Sequence, residues 1–518
     1  MGVDQETAAP GRAQRIAVNS LWSALDYVFT LAGGIVASIL VARRFGPEVL
    51  GYFAYIVTLS TVAGSLARFG LPVATRKYLA EFSARGEHGL ARALLGRMFR
   101  WQSLLAVAAM ALAGAVAFNF LRADYHAVAA VALASMLPSM LLGIVSAANM
   151  AVEDYAANVV ASLAAGIVNF AGIIITLALH LSIFWLAVSL LASRLADLLI
   201  RYWFYRRRLH PLLRAAPKRG LGDEVGRRIR RFCFQTSFLQ ALSLVVWDRS
   251  EMFFLERFSP MREAGFYSVT FTMAQQSFLL SQTFISAASS NLMRRSALDP
   301  EGARRMTRTM LVYSALMALP VNLGLAAVAG PLITTLYGAQ YLPAIPVLFI
   351  AAMFASARAL MAPAEQLLAA FDRQDRMLRT LGLATVVNLA LAFSLIPRWG
   401  AQGAALCNGL SQTASLGLCW WLARGTLRLP LPWGRLARVA GAAGLMAGTA
   451  WAAAAYLPPA PGLAAGVAAG AASYPVYLRL LGCLDGEDRD RLSQAAASLP
   501  GPLRRPFRRL LDWVTAAA

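Results

Sequence analysis

Charge is scarce in this chain. Acidic and basic residues together fill 14% of its 518 positions, against about a quarter in soluble domains, which excludes an ordinary water-soluble fold. Lysine is nearly missing: Lys77 and Lys218 are the only two, and arginine supplies every other basic position. A high-GC genome produces such Arg- and Ala-heavy usage unaided, so the arginine count alone says nothing of phosphate binding. The four cysteines, Cys233, Cys407, Cys419 and Cys483, lie in or beside apolar runs without ligand spacing, which argues against a disulfide framework or a zinc site. The four histidines are scattered at His88, His126, His180 and His210, and neither H-E-x-x-H nor a G-x-x-x-x-G-K-[ST] phosphate loop occurs. No metal, cofactor or P-loop motor is therefore expected. Without an evident catalytic constellation, the chain reads as a non-enzyme.

What it has in abundance is apolar length. Hydrophobic residues reach 58% and the mean hydropathy is +0.57, the composition of a polytopic membrane protein. Windows of roughly 17–25 apolar residues predict about fourteen membrane spans. They cover 17–42, 49–70, 101–121, 127–149, 156–180, 183–205, 232–256, 264–289, 309–335, 344–370, 377–397, 400–423, 437–457 and 461–481. The last two are Ala/Gly-rich and only mildly apolar. Residues 1–15 are polar, and the first apolar run is too long for a signal-peptide core, so it is expected to remain as an anchor.

The formal net charge of +22 suggests nucleic acid at first, but its distribution argues otherwise. Most basic residues outside the spans fall in alternate connections, 71–100, 206–231, 290–308, 371–379, 424–438 and the tail after 481. This is the positive-inside bias, and it predicts cytoplasmic termini. The opposite connections, 43–48, 122–126, 181–182, 257–263, 336–343, 398–399 and 458–460, are too short to fold as a soluble domain. A membrane polymerase or ligase, which needs outer loops to hold a catalytic site, is disfavoured.

A segment also repeats. Arg44, Phe45 and Pro47 recur as Arg257, Phe258 and Pro260, and Gly51-Tyr52-Phe53 recurs as Gly265-Phe266-Tyr267 after a one-residue insertion. Each copy joins the first and second spans of one half of the chain, the sign of a duplicated bundle. The expected fold class is an all-α polytopic membrane protein: a six-helix lobe over 1–205, a basic linker over 206–231, and a second, pseudo-symmetric lobe over 232–423. Two extra helices over 424–481 and a basic amphipathic tail over 482–518 complete it. Six spans per lobe is an even number, so the lobes are expected to be parallel repeats about an axis along the membrane normal.

Inside the predicted spans stand Asp26, Arg68, Arg194, Asp197, Arg201, Asp248, Arg249, Glu251, Arg358 and Glu365. Each costs about 2.5–3.5 kcal/mol at the bilayer centre, so they must pair, face water or snorkel from helix ends. Arg194, Asp197 and Arg201 share one face of the sixth span, where Arg201 is near enough to the cytoplasmic end to snorkel. Arg358 and Glu365 share a face of the tenth, with Pro363 between them as a kink. Polar stripes mark the second span (Thr58, Thr61, Ser65, Arg68) and the eighth (Ser268, Thr272, Gln275, Gln282, Ser286). They fit either helix-to-helix hydrogen bonding or the wall of a polar passage. Arg68, Arg194, Arg249, Arg358, Thr58, Gln275 and Gln282 are the candidate cavity residues. Asp26, Asp197, Asp248 and Glu365 are the candidate ion-coupling residues, each with a structural ion pair as the alternative.

The stretch Ser38 to Phe82, with its FGPE-x-x-G-x-F turn and F-G-L-P-x-A-x-x-[RK]-Y-L-A-E element, resembles the start of the polysaccharide repeat-unit flippases. These belong to the multidrug/oligosaccharidyl-lipid/polysaccharide (MOP) exporter superfamily. SEMFFLERFSP-x-x-E-AGFYSV, from Ser250, resembles the seventh-span region of the same family. The resemblance implies two six-helix lobes around a cavity that opens alternately to each side. It implies a polyprenyl-diphosphate-linked oligosaccharide as cargo, with intramembrane arginines for the diphosphate. The arginine-rich first-span signature of the peptidoglycan-precursor flippases is missing, which disfavours lipid II. Expected partners are the lipid-linked glycan, membrane lipids and glycan polymerase or ligase machinery, with no nucleic acid, for a monomer in a bacterial cytoplasmic membrane. An ion-coupled multidrug or toxin exporter is the rival within transport.

Overall fold

The computed structural model describes residues 10–152, 155–215, 217, 220–248, 250–371, 373–427, 431–496 and 501–515, with most side chains from residue 33 onward. Among them there are helices and turns and no strand. The chain divides into two compact units, 1–244 and 245–518. The first holds α1 (Pro10–Ala67), α2 (Leu71–Ala84), α3 (His88–Phe120), α4 (His126–Ala134), α5 (Met136–Ala151), α6 (Tyr155–Ala178), α7 (Phe184–Arg208), α8 (His210–Ala215) and most of α9 (Asp223–Trp247). The second holds α10 (Glu251–Phe258), α11 (Met261–Leu298), α12 (Pro300–Ala327), α13 (Ala329–Leu336), α14 (Ala344–Ala370), α15 (Gln374–Leu427), α16 (Trp433–Ala455), α17 (Pro459–Leu480), α18 (Gly486–Ala496) and α19 (Gly501–Thr515).

The predicted spans lie on these helices, with informative breaks. The first two join in α1 across a corner at Gly46 (φ 77°, ψ 171°). The eleventh and twelfth join in α15 across Gly400 (φ 51°, ψ −127°). Both are backbone conformations that glycine alone adopts without strain. The seventh span is not continuous: α9 stops at Trp247 and α10 starts at Glu251. Seven helical stretches among the described residues are long and apolar enough to cross a membrane by composition alone. Charge-bearing α7 and α9, polar-striped α11 and the Ala/Gly-rich α16 and α17 fall outside that set.

The repeated segment builds the same corner in each unit. In the first, Tyr52 stacks on Tyr125, rings 4.1 Å apart, and Tyr125 ends a 3-10 turn, Ala123–Tyr125. In the second, Phe266 meets Tyr341 edge-on at 5.9 Å, and Tyr341 ends the 3-10 turn Ala339–Tyr341. The second corner adds a clasp: the Glu263 carboxylate accepts the Ala401 N–H at 3.1 Å. That bond satisfies one of the orphan donors at the start of the helical segment after Gly400.

Each unit has its own packing logic. In unit 1, α7 packs on α5 and α6, α1 on α3 and α6, and α2 on α3 and α5. The F-G-L-P-x-A-x-x-[RK]-Y-L-A-E element turns out to be a clip. Gly70 (φ 65°) turns the chain, Pro72 opens α2, and Ala74, Tyr78 and Leu79 are buried. Lys77 Nζ lies 4.3 Å from the Phe232 ring centroid and Glu81 pairs with Arg228 at 3.3 Å, so the element holds the start of α9. In unit 2, α14 lies among α11, α12 and α15, and α16 packs on α12 and α17. Two tail helices dock there. Leu511 and Val514 of α19 join the core of Val439, Leu478 and Leu484. Buried Asp488 of α18 accepts the Tyr313 hydroxyl at 2.8 Å and pairs with Arg435.

Gly70 is also pressed against α9: a Cβ there would meet the Cys233 carbonyl oxygen at 2.9 Å. Gly86 has a similar φ of 71° but open space around it. Gly70→Ala should therefore cost more than the roughly 1–3 kcal/mol of backbone strain expected for Gly86→Ala. Thermal unfolding of both variants in detergent checks the order, and equal losses would dismiss the clip as a steric constraint.

Candidate functional site

In unit 2 the charged residues gather around the break in the seventh span. Arg358, on α14, places its guanidinium carbon 4.5 Å from the ring centre of Phe278 on α11 and 5.0 Å from that of Trp247, the last residue of α9. Two aromatic rings thus lie within cation–π range of one guanidinium. Asp248, exposed just past Trp247, and half-buried Glu365, two residues beyond Pro363 on α14, both stand in electrostatic range of it. Gln275 lines a small cavity of about 20 Å³, together with Tyr267, Asn408 and Gln412. Gln282 is exposed farther along α11. The Arg249 residue lies outside the described residues, as do the side chains of Ser286 and Asp26.

A second feature lies behind that cavity. Glu251, the first residue of α10, is fully buried. Its Oε1 accepts from Asn388 Nδ2 at 2.9 Å and Asn408 Nδ2 at 3.1 Å, and its Oε2 accepts from the Tyr267 hydroxyl at 3.0 Å. Gln412 Nε2 then donates to Asn408 Oδ1 at 2.8 Å. All three partners of the carboxylate are neutral, as is Gln412 behind them. Sequence reasoning counted Glu251 among the charges inside the spans and missed its partners. The available signal was the set of side-chain amides in otherwise apolar spans, Asn388 on one and Asn408 and Gln412, four apart, on the next.

In unit 1 the sixth-span triplet separates. Asp197 and Arg201 are both buried and pair at 2.6 Å. Arg201 also donates to Ser162 Oγ of α6 at 2.7 Å and Ser146 Oγ of α5 at 3.2 Å. The expectation that Arg201 snorkels is wrong, because two serines on neighbouring helices and one carboxylate absorb its donors inside the bundle. Arg194 stays exposed. Arg68, also exposed, lies in electrostatic range of Arg194, like charge against like. Of the second-span stripe, Thr58 is buried and Thr61 bonds its own helix at Val57 O, 2.8 Å.

These surroundings separate two arginines of the same helix. Arg201→Ala strands the buried Asp197 and should destabilise the protein by about 3–5 kcal/mol. Arg194→Ala removes an exposed charge and should stay within about 0.5 kcal/mol. Thermal or chemical denaturation in detergent measures both, and a tolerant Arg201→Ala variant would contradict the buried-pair reading.

Comparison with known proteins agrees with this architecture. The solved structure described as "Lipid II flippase MurJ, inward closed conformation" superposes with a TM-score of 0.66 at 13% identity, covering 89% of this chain and 98% of that one. An inward-facing multidrug resistance MATE family transporter of the MOP superfamily gives 0.68 at 14% identity, over 77% and 94%. An outward-facing MATE transporter gives 0.53 at 15%, over 80% and 95%. At such identities the likeness establishes the fold. No curated protein matches the sequence. The family model described as "Polysaccharide biosynthesis protein" matches residues 16–290. With more than half of its length inside that model and a multi-pass helical membrane fold, the chain belongs to the polysaccharide biosynthesis protein family.

Proposed function

We propose that the chain is a flippase that carries polyprenyl-diphosphate-linked oligosaccharide repeat units from the cytoplasmic to the outer leaflet of a bacterial cytoplasmic membrane, by alternating access. The observation that carries this reading is Arg358, an intramembrane guanidinium within cation–π range of both Trp247 and Phe278, with carboxylates in range. A guanidinium offers planar, bidentate donors, the geometry that suits phosphoryl oxygens. Asp248 and Glu365 offset its charge when no anion is bound, so the site does not leave a bare cation in the membrane.

The physics of the cargo suits these parts. Its glycan head carries hydroxyls that hydrocarbon cannot satisfy, and its polyprenyl tail is at home in lipid, so the head alone needs a wet, polar path. Exposed Arg68 and Arg194 repel one another, and an anion between them relieves the repulsion. Diphosphate is negative, so an inside-negative potential favours its outward passage by about 2.3 kcal/mol per charge per 100 mV. Glu251 supplies a coupling point: a carboxylate buried among neutral donors costs several kcal/mol as an anion, and a proton or small cation offsets that cost. Polymerase or ligase machinery on the outer side would consume the product.

Purified protein in liposomes should move a fluorescent diphosphate-linked oligosaccharide between leaflets. Arg358→Ala should slow that movement by about 10-fold or more, the loss of a charge-assisted contact, with melting unchanged. Transport of cationic dyes alone would overturn the reading in favour of an ion-coupled multidrug exporter. Glu251→Gln keeps the shape of the network and removes its charge. Transport by this variant should no longer respond to an imposed proton or sodium gradient, and a retained response would clear Glu251 of coupling.

A further inference from the structure

A second cationic feature lies in unit 1, at the start of α9 and away from the span arginines. The clip on α2 and the buried residues Tyr78, Leu94, Met98, Ile229 and Cys233 seat this part of α9 against α2 and α3. Gly226 stands at that seam. A Cβ there would lie 3.4 Å from Arg97 Nη1 and 3.7 Å from Arg230 Nη1, so two guanidiniums converge on one backbone point. They are no farther apart than the sum of those distances. Among the described residues neither forms an ion pair.

The two arginines line a cleft of about 490 Å³ with Arg100 and Trp101 at its side and one acid, Asp223. Leu71, Met98 and Ile229 make an apolar floor. Leu104, one turn into the third predicted span, also lines it and is 72% exposed. Cations, a tryptophan and an open apolar flank at the start of a span are what a lipid with a phosphorylated head requires. Two converging forks match two adjoining phosphoryl groups, each able to accept a bidentate guanidinium. A phosphodiester carries one charge and leaves one arginine unanswered.

We propose that this cleft docks the diphosphate head of the lipid-linked glycan on the cytoplasmic leaflet, before the carrier reaches the intramembrane arginines. The proposal rests on the flippase reading above. It assigns Arg97 and Arg230 to substrate capture.

The test is binding of a fluorescent short-chain polyprenyl diphosphate to the full-length protein in neutral detergent, with phosphatidylglycerol and inorganic pyrophosphate as competitors. Arg97→Gln/Arg230→Gln should weaken binding by about 10- to 100-fold, as two charge-assisted forks are lost. Arg97→Lys/Arg230→Lys should recover part of it by charge alone, and both variants should melt like the parent. Undiminished binding in the Gln variant, or a loss confined to Arg358→Gln, would overturn the docking site. Equal displacement by phosphatidylglycerol would make it an acidic-phospholipid site, and equal displacement by pyrophosphate an unspecific phosphate patch; either result overturns the proposal. If the probe binds through Arg97 and Arg230 but no glycan lipid crosses liposomes, docking stands and translocation alone falls.

Discussion

Hydrocarbon offers no hydrogen bonds and almost no dielectric screening, and each charge in this molecule is handled under that constraint. Three solutions occur. Asp197 and Arg201 neutralise each other and share their remaining donors with serines of neighbouring helices. Arg358 holds its cation close to two aromatic rings and keeps two acids nearby. Glu251 has no cationic partner among the described residues and relies on two amides and a phenol. The first solution is closed and suits a structural pair. The other two are looser: Arg358 is offset by acids in electrostatic range, and Glu251 rests among neutral donors.

The backbone follows the same logic. The seventh span stops and restarts beside its charges, and the freed backbone groups find partners locally: the Ser250 hydroxyl bonds the Val245 carbonyl at 2.8 Å. Irregular backbone at membrane depth is tolerated where protein or a polar cavity receives it. Elsewhere the breaks fall at corners between predicted spans, where Gly46 and Gly400 adopt angles other residues avoid. Straight, apolar, mostly uncharged segments thus alternate with short polar discontinuities.

Much of this was legible beforehand. Apolar length located the helices, because membrane thickness sets how long a span must be. The Arg44–Tyr55 and Arg257–Val269 repeat marked two corners that share an aromatic contact with a 3-10 turn. Other features were hidden for physical reasons. Helical spacing put Arg194, Asp197 and Arg201 on one face, but spacing cannot tell which of them meets Ser146 and Ser162, residues far apart in sequence. Glu251 read as one of ten charges inside the spans, since two of its three partners come from helices more than a hundred residues away. The stop at Trp247 and restart at Glu251 were invisible because strong apolar flanks carry a hydropathy window across them.

The tail is held by a single buried acid. Asp488 accepts the Tyr313 hydroxyl and the Asp485 N–H and pairs with Arg435, so one carboxylate ties α12, α16 and the start of α18 together. A chain ended before Gly486 would leave Arg435 and Tyr313 facing a hole and bare the apolar side of α17 that α19 covers. A fusion added after Thr515 would disturb none of these bonds. The last helices behave as a plug that closes the bundle, and the protein is better extended at this end than shortened.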